Sequence, residues 1–298
     1  ESATAFFTAS AGNLQRAGIY AFNGTTWDKV RFTNALIDWK KPTGKYSMKA
    51  IKMVNSSQGW AVGEYDPLLS SVTGKPYRDD PTIMAWQLAN EPRPGGSEAF
   101  GVPNLPTYYR WIAETSALIK SLDPRHLVTT GSEGAMGCLE REACVVEAHR
   151  PASIDYLTLH VWPNNWGWID PKNQPATYAA GEAKCRDYVT RHIAIAKGLG
   201  KPLVIEEFGL IREDRAFTPG GPTTHRDRFY RMMFGLVEAD MKAGGPLAGT
   251  NFWAWNGEGR AQHADAWFKM GDRAYVGDPP QEEQGLFGVF DADASTLA

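Results

Sequence analysis

Cysteine is scarce in this chain of 298 residues, which carries only Cys138, Cys144 and Cys185. The odd count leaves at least one free thiol, and no spacing among the three suggests a zinc site. Cys138 and Cys144, close together in one loop-like stretch, form a candidate bridge, with the reduced pair as the alternative. The HExxH pattern is missing, as is any nucleotide-binding motif, so no metal and no cofactor are expected. No stretch approaches the roughly 18 consecutive apolar residues of a membrane-spanning helix. The chain opens ESATAFF, without the basic and apolar regions of a signal peptide. A mature secreted or periplasmic protein would look the same, and that is the localisation expected. Neither sign of charge is in surplus: 31 basic residues face 34 acidic ones, without a long like-charged run. That argues against nucleic acid and anionic membrane surfaces as partners. No repeat or low-complexity segment is visible, and a monomer is expected.

What the chain has in quantity is aromatic rings, with 11 Trp and 11 Tyr. Flat rings pack against the C–H faces of sugars, and several Trp fall at the ends of strand-like runs; core packing is the alternative use. The most informative run starts at Asp80, DPTIMAWQLANEPRPGG. Residues 81–90 are too few for a convincing helix and rich enough in Ile, Met, Trp and Leu for a buried strand. Such a strand ends in Asn90-Glu91-Pro92, and enzymes built on parallel barrels carry catalytic groups at strand C-terminal ends. Glu91 is therefore the first catalytic candidate, a solvated strand end being the plain alternative.

A second short apolar run, KPLVIEEFG over 201–209, also ends in acid. Side chains alternate along a strand, so Glu207 shares a face with Leu203 and Ile205, and Glu206 shares the other with Val204 and Phe208. Regular geometry lets one of the two reach a site. Glu207 is taken as that one, and Glu206 as a structural residue turned toward the helices. Two strands that each deliver a glutamate fit the paired carboxylates of glycoside hydrolysis.

From residue 82 onward strand and helix patterns alternate, the signature of a parallel α/β fold. Strands are expected over 81–90, 126–130, 154–162, 201–209 and 247–255, with helices ending at Asp123-Pro124 and spanning about 176–199 and 225–243. The segment with Cys138 and Cys144 is an insertion. The expected fold class is a (β/α)8 TIM barrel with a compressed or incomplete N-terminal portion. Residues 1–298 form one catalytic domain, of which 76–298 supply strands four to eight and 1–75 resist assignment. Only pieces such as 17–22, 33–39 and 48–54 look like elements there. Spacing between successive strands averages about 41 residues, and three more units at that spacing do not fit ahead of residue 82.

The motifs ANEPRP, HVWPNNWGW, VIEEFG, NFWAW and GDPPQEEQG, in this order, resemble glycoside hydrolase family five, specifically its β-mannanase subfamily. The resemblance runs from Thr73 to the C-terminus. Asn-Glu-Pro with Glu-Phe-Gly is shared by a broad clan of retaining glycosidases; the aromatic loop and the GDPP tail are narrower and point to mannan. The resemblance implies Glu91 as acid/base and Glu207 as nucleophile. It further implies Asn90 as the partner of the sugar 2-hydroxyl, and His160 and Trp253 as lining of the subsite that holds the sugar being cleaved. Trp162 departs from the family, many members of which have a tyrosine there that donates to the nucleophile. An indole N–H donates but does not accept. The family also brings an arginine from its first strands, and no residue in 1–75 matches it.

The expected activity is retaining endo-hydrolysis of β-1,4-mannosidic linkages, with carboxyl groups about 5 Å apart. A β-1,4-glucanase and a non-catalytic carbohydrate-binding barrel are the alternatives. Trp166, Trp168 and Trp255 are added as sugar-stacking candidates, with Trp111 assigned to the core. Glu133 reads as a rim or solvated residue, a subsite role being the alternative. His126, His149, His192, His225 and His263 lack the spacing of a triad or metal set and are taken as packing or surface groups. Asp80 and Asp123, each before a proline, are turn or cap residues.

Overall fold

The computed structural model describes the backbone of five strands ahead of residue 76, and residues 76–272 and 277–298 with their side chains. The chain divides into two compact units, Glu1–Met84 and Ala85–Ala298.

In the first unit β1 (Phe6–Ala9), β2 (Gly18–Phe22) and β3 (Trp27–Val30) form an antiparallel sheet in chain order. The residues that separate β2 from β3 begin Asn23-Gly24, a dipeptide suited to hairpins. A second antiparallel pair joins β4 (Tyr46–Met53) to β5 (Gly59–Tyr65). The strand-like pieces at 17–22 and 48–54 are thus β2 and β4, while 33–39 lies outside the described residues. These strands do not supply the parallel strands of a compressed barrel start. The connections β2–β3 and β4–β5 are a few residues long, and a parallel crossover needs a dozen or more. At the end of this unit Asp80 is a turn residue, its Oδ1 accepting from the Thr82 N–H at 3.0 Å and hydroxyl at 2.8 Å.

The second unit alternates as the pattern requires. It runs β6 (Ala85–Gln87), α1 (Glu98–Leu122), β7 (Leu127–Thr129), α2 (Glu142–His149), β8 (Leu157–Val161), α3 (Gln174–Leu199), β9 (Leu203–Phe208), α4 (Thr224–Lys242) and β10 (Leu247–Thr250). Then come the short β11 (Trp255–Gly257), β12 (Val289–Phe290) and α5 (Ala294–Leu297). Pairing is parallel for β6–β7, β8–β9 and β9–β10. The β7 and β8 edges meet through the Asp155 N–H on Val128 O at 2.8 Å and the Thr129 hydroxyl on Tyr156 O at 2.9 Å. The spatial order is therefore β6-β7-β8-β9-β10, five consecutive strands of the (β/α)8 barrel class.

Helix α1 stops where expected. Asp123 accepts from the Arg125 and His126 N–H groups and the Trp86 indole, so it is a cap and turn residue. Two expectations change. The run 247–255 is not one strand: β10 ends at Thr250, and Trp255 belongs to β11, which pairs with β12. The insertion after β7 holds a helix, α2, whose Cys144, Val145 and Ala148 are buried, and a Cys138–Cys144 disulfide fastens it to the preceding turn. Cys185 is free and buried.

Burial explains which way the strands face. In β8, Leu157, Leu159 and Val161 pack with Leu203, Ile205 and Phe208 of β9 into one apolar core with α3 and α4. Phe208 lies 5.9 Å from Phe229 and 5.0 Å from Tyr230, ring centre to ring centre. The C-terminal segment is latched by charge: buried Arg212 and Arg226 both donate to Asp293 Oδ2 and to Gly288 O. Because the strands are parallel, all their C-terminal ends emerge on one side, where Glu91, Glu133, His160 and Glu207 are found.

Candidate active site

Glu91 leaves β6 in the left-handed region, with φ 48°, a strained conformation for a residue with a side chain and one that clusters at functional sites. Its N–H donates to Gly131 O at 2.9 Å, which ties the loop after β6 to the loop after β7. The approach is close enough that a Cβ on Gly131 would stand 2.0 Å from Ala89 O, so only glycine fits there.

His160, at the end of β8 and fully buried, gathers the acids. Its Nδ1 is 2.8 Å from Glu91 Oε1 and 3.2 Å from Glu207 Oε2. One ring nitrogen of His160 and one oxygen each of Glu91 and Glu207 lie within 4.8 Å of one another. Burial alone would lower the His160 pKa; Glu206, Glu207 and Glu91 together outweigh it and raise it to about 11.

Glu206 is also turned to this side, which corrects the strand-parity expectation. The β8–β9 register runs Leu159↔Ile205 and then His160↔Glu207, so Glu206 is the extra residue of a β-bulge. A bulge breaks alternation and brings two successive side chains to one side. Glu206 Oε1 accepts from the Tyr156 hydroxyl at 3.4 Å, and its Oε2 lies 3.8 Å from His160 Nε2.

Glu133 is not a rim residue. It is 1 % exposed, and Arg93 binds its Oε2 through Nη2 at 2.5 Å and Nε at 2.7 Å while standing 4.0 Å from Glu91 Oε2. Burial first, then the Glu91 charge, raise its pKa against the pull of Arg93. Arg93, two residues past Glu91 in sequence, is a guanidinium at this site that the sequence did not single out. Glu282, in the GDPPQEEQG tail, is a further acid missed in the sequence: burial, Glu283, and then Glu207 and Glu91 raise its pKa. Its only signal was its place in that tail.

The aromatic candidates separate into two groups. Trp162 is buried, its ring 4.9 Å from Phe287 and 6.2 Å from Trp253. Among the described residues no hydrogen bond joins its indole to Glu207. Trp166 and Trp168 each pack one side on Tyr188 of α3, at 5.2 Å and 5.6 Å, and both remain half-buried, as Trp253 is. Trp253 is half-buried, its N–H bonded to Phe208 O at 2.8 Å beside the end of β9. Trp255 is 56 % exposed, and Asn90 is exposed next to Glu91. The other histidines do structural work: His149 and His192 are buried, His126 pairs with Asp123, His225 with Glu213 and His263 with Asp272.

The family pattern described as glycoside hydrolase family 5 β-mannosidase-like matches residues 43–298. The chain belongs to glycoside hydrolase family 5. Within this family it is 33 % identical over 198 residues to rice (Oryza sativa subsp. japonica) mannan endo-1,4-beta-mannosidase 4, covering 62 % of this chain and 40 % of that protein. It is 31 % identical to the tomato (Solanum lycopersicum) mannan endo-1,4-beta-mannosidase 4, over 67 % of this chain and 48 % of that one. Among solved structures, the family 5 mannosidase from Rhizomucor miehei superposes with a TM-score of 0.65 at 32 % identity, over 77 % of this chain and 52 % of the other. The endo-beta-1,4-mannanase of Thermotoga petrophila gives 0.51 at 28 %, over 76 % and 44 %. This family 5 chain thus spans from two-fifths to about half the length of these relatives.

Proposed function

We propose that the chain carries the catalytic carboxylates of a retaining endo-β-1,4-mannanase. Glu91, in its protonated form, gives a proton to the glycosidic oxygen while Glu207 attacks the anomeric carbon. Glu91 then takes a proton from the water that releases the glycosyl-enzyme. The observation that carries this reading is the separation: one oxygen of each glutamate lies within 4.8 Å of the other, in the range of retaining rather than inverting pairs. Mannan as substrate is supported by the names of the plant relatives and by the Rhizomucor miehei mannosidase solved with mannosyl-fructose. Trp253, Trp255 and Asn90, with the partly exposed Trp166 and Trp168, are the groups offered to sugar. The Cys138–Cys144 bridge favours an oxidising compartment, secreted or periplasmic.

The test is release of reducing ends from linear mannan and carboxymethylcellulose by the purified chain and by its Glu207→Ala variant. Release from mannan alone, lost in the variant, is expected. Release from the cellulose derivative instead would make the chain a glucanase. Tight binding of manno-oligosaccharide without turnover would leave it a binding barrel.

A further inference from the structure

We infer that Glu206 is a positioning residue that keeps His160 doubly protonated, so that His160 serves as the buried cation that orients Glu207. Three observations lead there. First, the Trp162 indole is spent in an aromatic cluster with Phe287 and Trp253. His160 Nδ1 stands 3.2 Å from Glu207 Oε2, an ion-pair contact, while its hydrogen bond goes to Glu91 Oε1 at 2.8 Å. Second, His160 Nε2 and Glu206 Oε2 are both buried, neither has another hydrogen-bond partner among the described residues, and they face each other across 3.8 Å. A buried N–H and a buried carboxylate oxygen left unpaired are each costly, and opposite charge on the two offsets both costs. Third, the bulge that turns Glu206 inward breaks an otherwise regular register, and the Tyr156 hydroxyl anchors the carboxylate once there.

The Glu206 carboxylate is held between the Tyr156 hydroxyl and the Nε2 edge of the imidazole, on the far side of the ring from the Nδ1 that meets Glu91 and Glu207. The charged and titratable groups around His160 come from every neighbouring element. They are Glu91 and Arg93 after β6, Glu133 after β7, Tyr156 just ahead of β8, and Glu206 and Glu207 on β9, with Glu282 of the C-terminal segment acting through Glu91 and Glu207. Carboxylates outnumber cations in this shell, which favours a second proton on the ring. With that proton, Nδ1–H is donated to Glu91, the charged ring stands 3.2 Å from Glu207, and Nε2–H lies 3.8 Å from Glu206. In a neutral ring protonated at Nδ1, the bare Nε2 would confront a carboxylate.

The catalytic consequence rests on the function proposed above, so the primary readout avoids activity. Nitrogen-15 spectra of the histidine rings, with the His160 signals assigned by their absence in His160→Gln, are recorded against pH without substrate. Both His160 nitrogens are expected to be protonated at pH 8 in the wild type. In Glu206→Gln the midpoint is expected to fall by at least one pH unit, a tenfold loss of proton affinity, and in Glu206→Asp by less. A neutral His160 at pH 8 in the wild-type chain overturns the inference without any variant having to fold. An unchanged midpoint in folded Glu206→Gln overturns it equally. Where turnover is measurable, the alkaline limb of kcat should move to lower pH in Glu206→Gln; an equal drop at every pH would mean a merely structural role.

Discussion

The two ends of the parallel strands in Ala85–Ala298 are built by opposite rules. Toward the helices, Leu157, Leu159, Leu203, Ile205, Phe208 and Phe229 make an apolar layer from which water is excluded. At the C-terminal ends, Glu91, Glu133, Glu206 and Glu207 crowd round one buried imidazole and one arginine, with a left-handed backbone at Glu91 and a bulge in β9. The first arrangement lowers the free energy of the fold. The second is what remains when geometry is chosen for chemistry, and stability elsewhere carries it. Substitutions should therefore divide: changes at the charged end should cost activity and leave stability alone, and changes behind it the reverse.

Glu207→Gln should give the largest effect and sharpen the contrast most. Loss of a covalent nucleophile costs on the order of 10⁴ to 10⁶ in kcat. Melting temperature should stay or rise, because one of several crowded like charges is gone. A substantial fall in melting temperature with residual turnover would erase the distinction between the two ends.

Asp293→Asn tests the stabilising side. It leaves Arg212 and Arg226, both buried, without their shared counter-charge, which should cost about 3–5 kcal/mol in denaturant unfolding. Activity per folded molecule should persist, since neither arginine touches the carboxylates of the site.

Acid and base should attack the two regions separately. Burial holds His149 and His192, behind the strands, down to about 4. A histidine whose folded pKa is depressed contributes stability that is complete above the unfolded value, about 6.5, and is lost as pH falls through 4. His160, at the charged end, is raised to about 11, so its contribution is complete below about 6.5 and is lost as pH rises through 11. Melting temperature should decline on both sides of neutrality. His192→Gln should flatten the acid side and Glu206→Gln the alkaline side.

Much of the helix-facing architecture was legible because the 3.6-residue and two-residue periods are physical consequences of burial. Spans such as 203–208 and 174–199 lie within or beside the stretches those periods mark out. The charged end was legible only where a strand stopped in acid, at Glu91 and Glu207. Glu206 was misplaced because alternation assumes a regular ladder, and the bulge depends on the facing strand rather than on local sequence. Arg93, Glu133 and Glu282 were missed or misjudged because burial of a charge is set by what surrounds it in space. Strands β1 to β5 were obscure for another reason: short hairpins need no long amphipathic period between them.

The smallest effect concerns the tryptophans, which the sequence grouped together and the structure separates. Trp255 is more than half exposed, so Trp255→Ala should weaken manno-oligosaccharide binding by about 1 kcal/mol, the scale of one stacking contact, and leave melting unchanged. Trp166, packed against Tyr188 and Trp168, should respond in the opposite sense. Its replacement by alanine opens a gap beside α3 and should cost about 2 kcal/mol of stability, less than a fully buried ring because part of it is already wet. Binding by the folded fraction should change less than in Trp255→Ala. Calorimetric titration and thermal melts on the same two variants decide it: matching losses from both would put Trp166 in the sugar cleft, and with it the aromatic loop that β8 delivers.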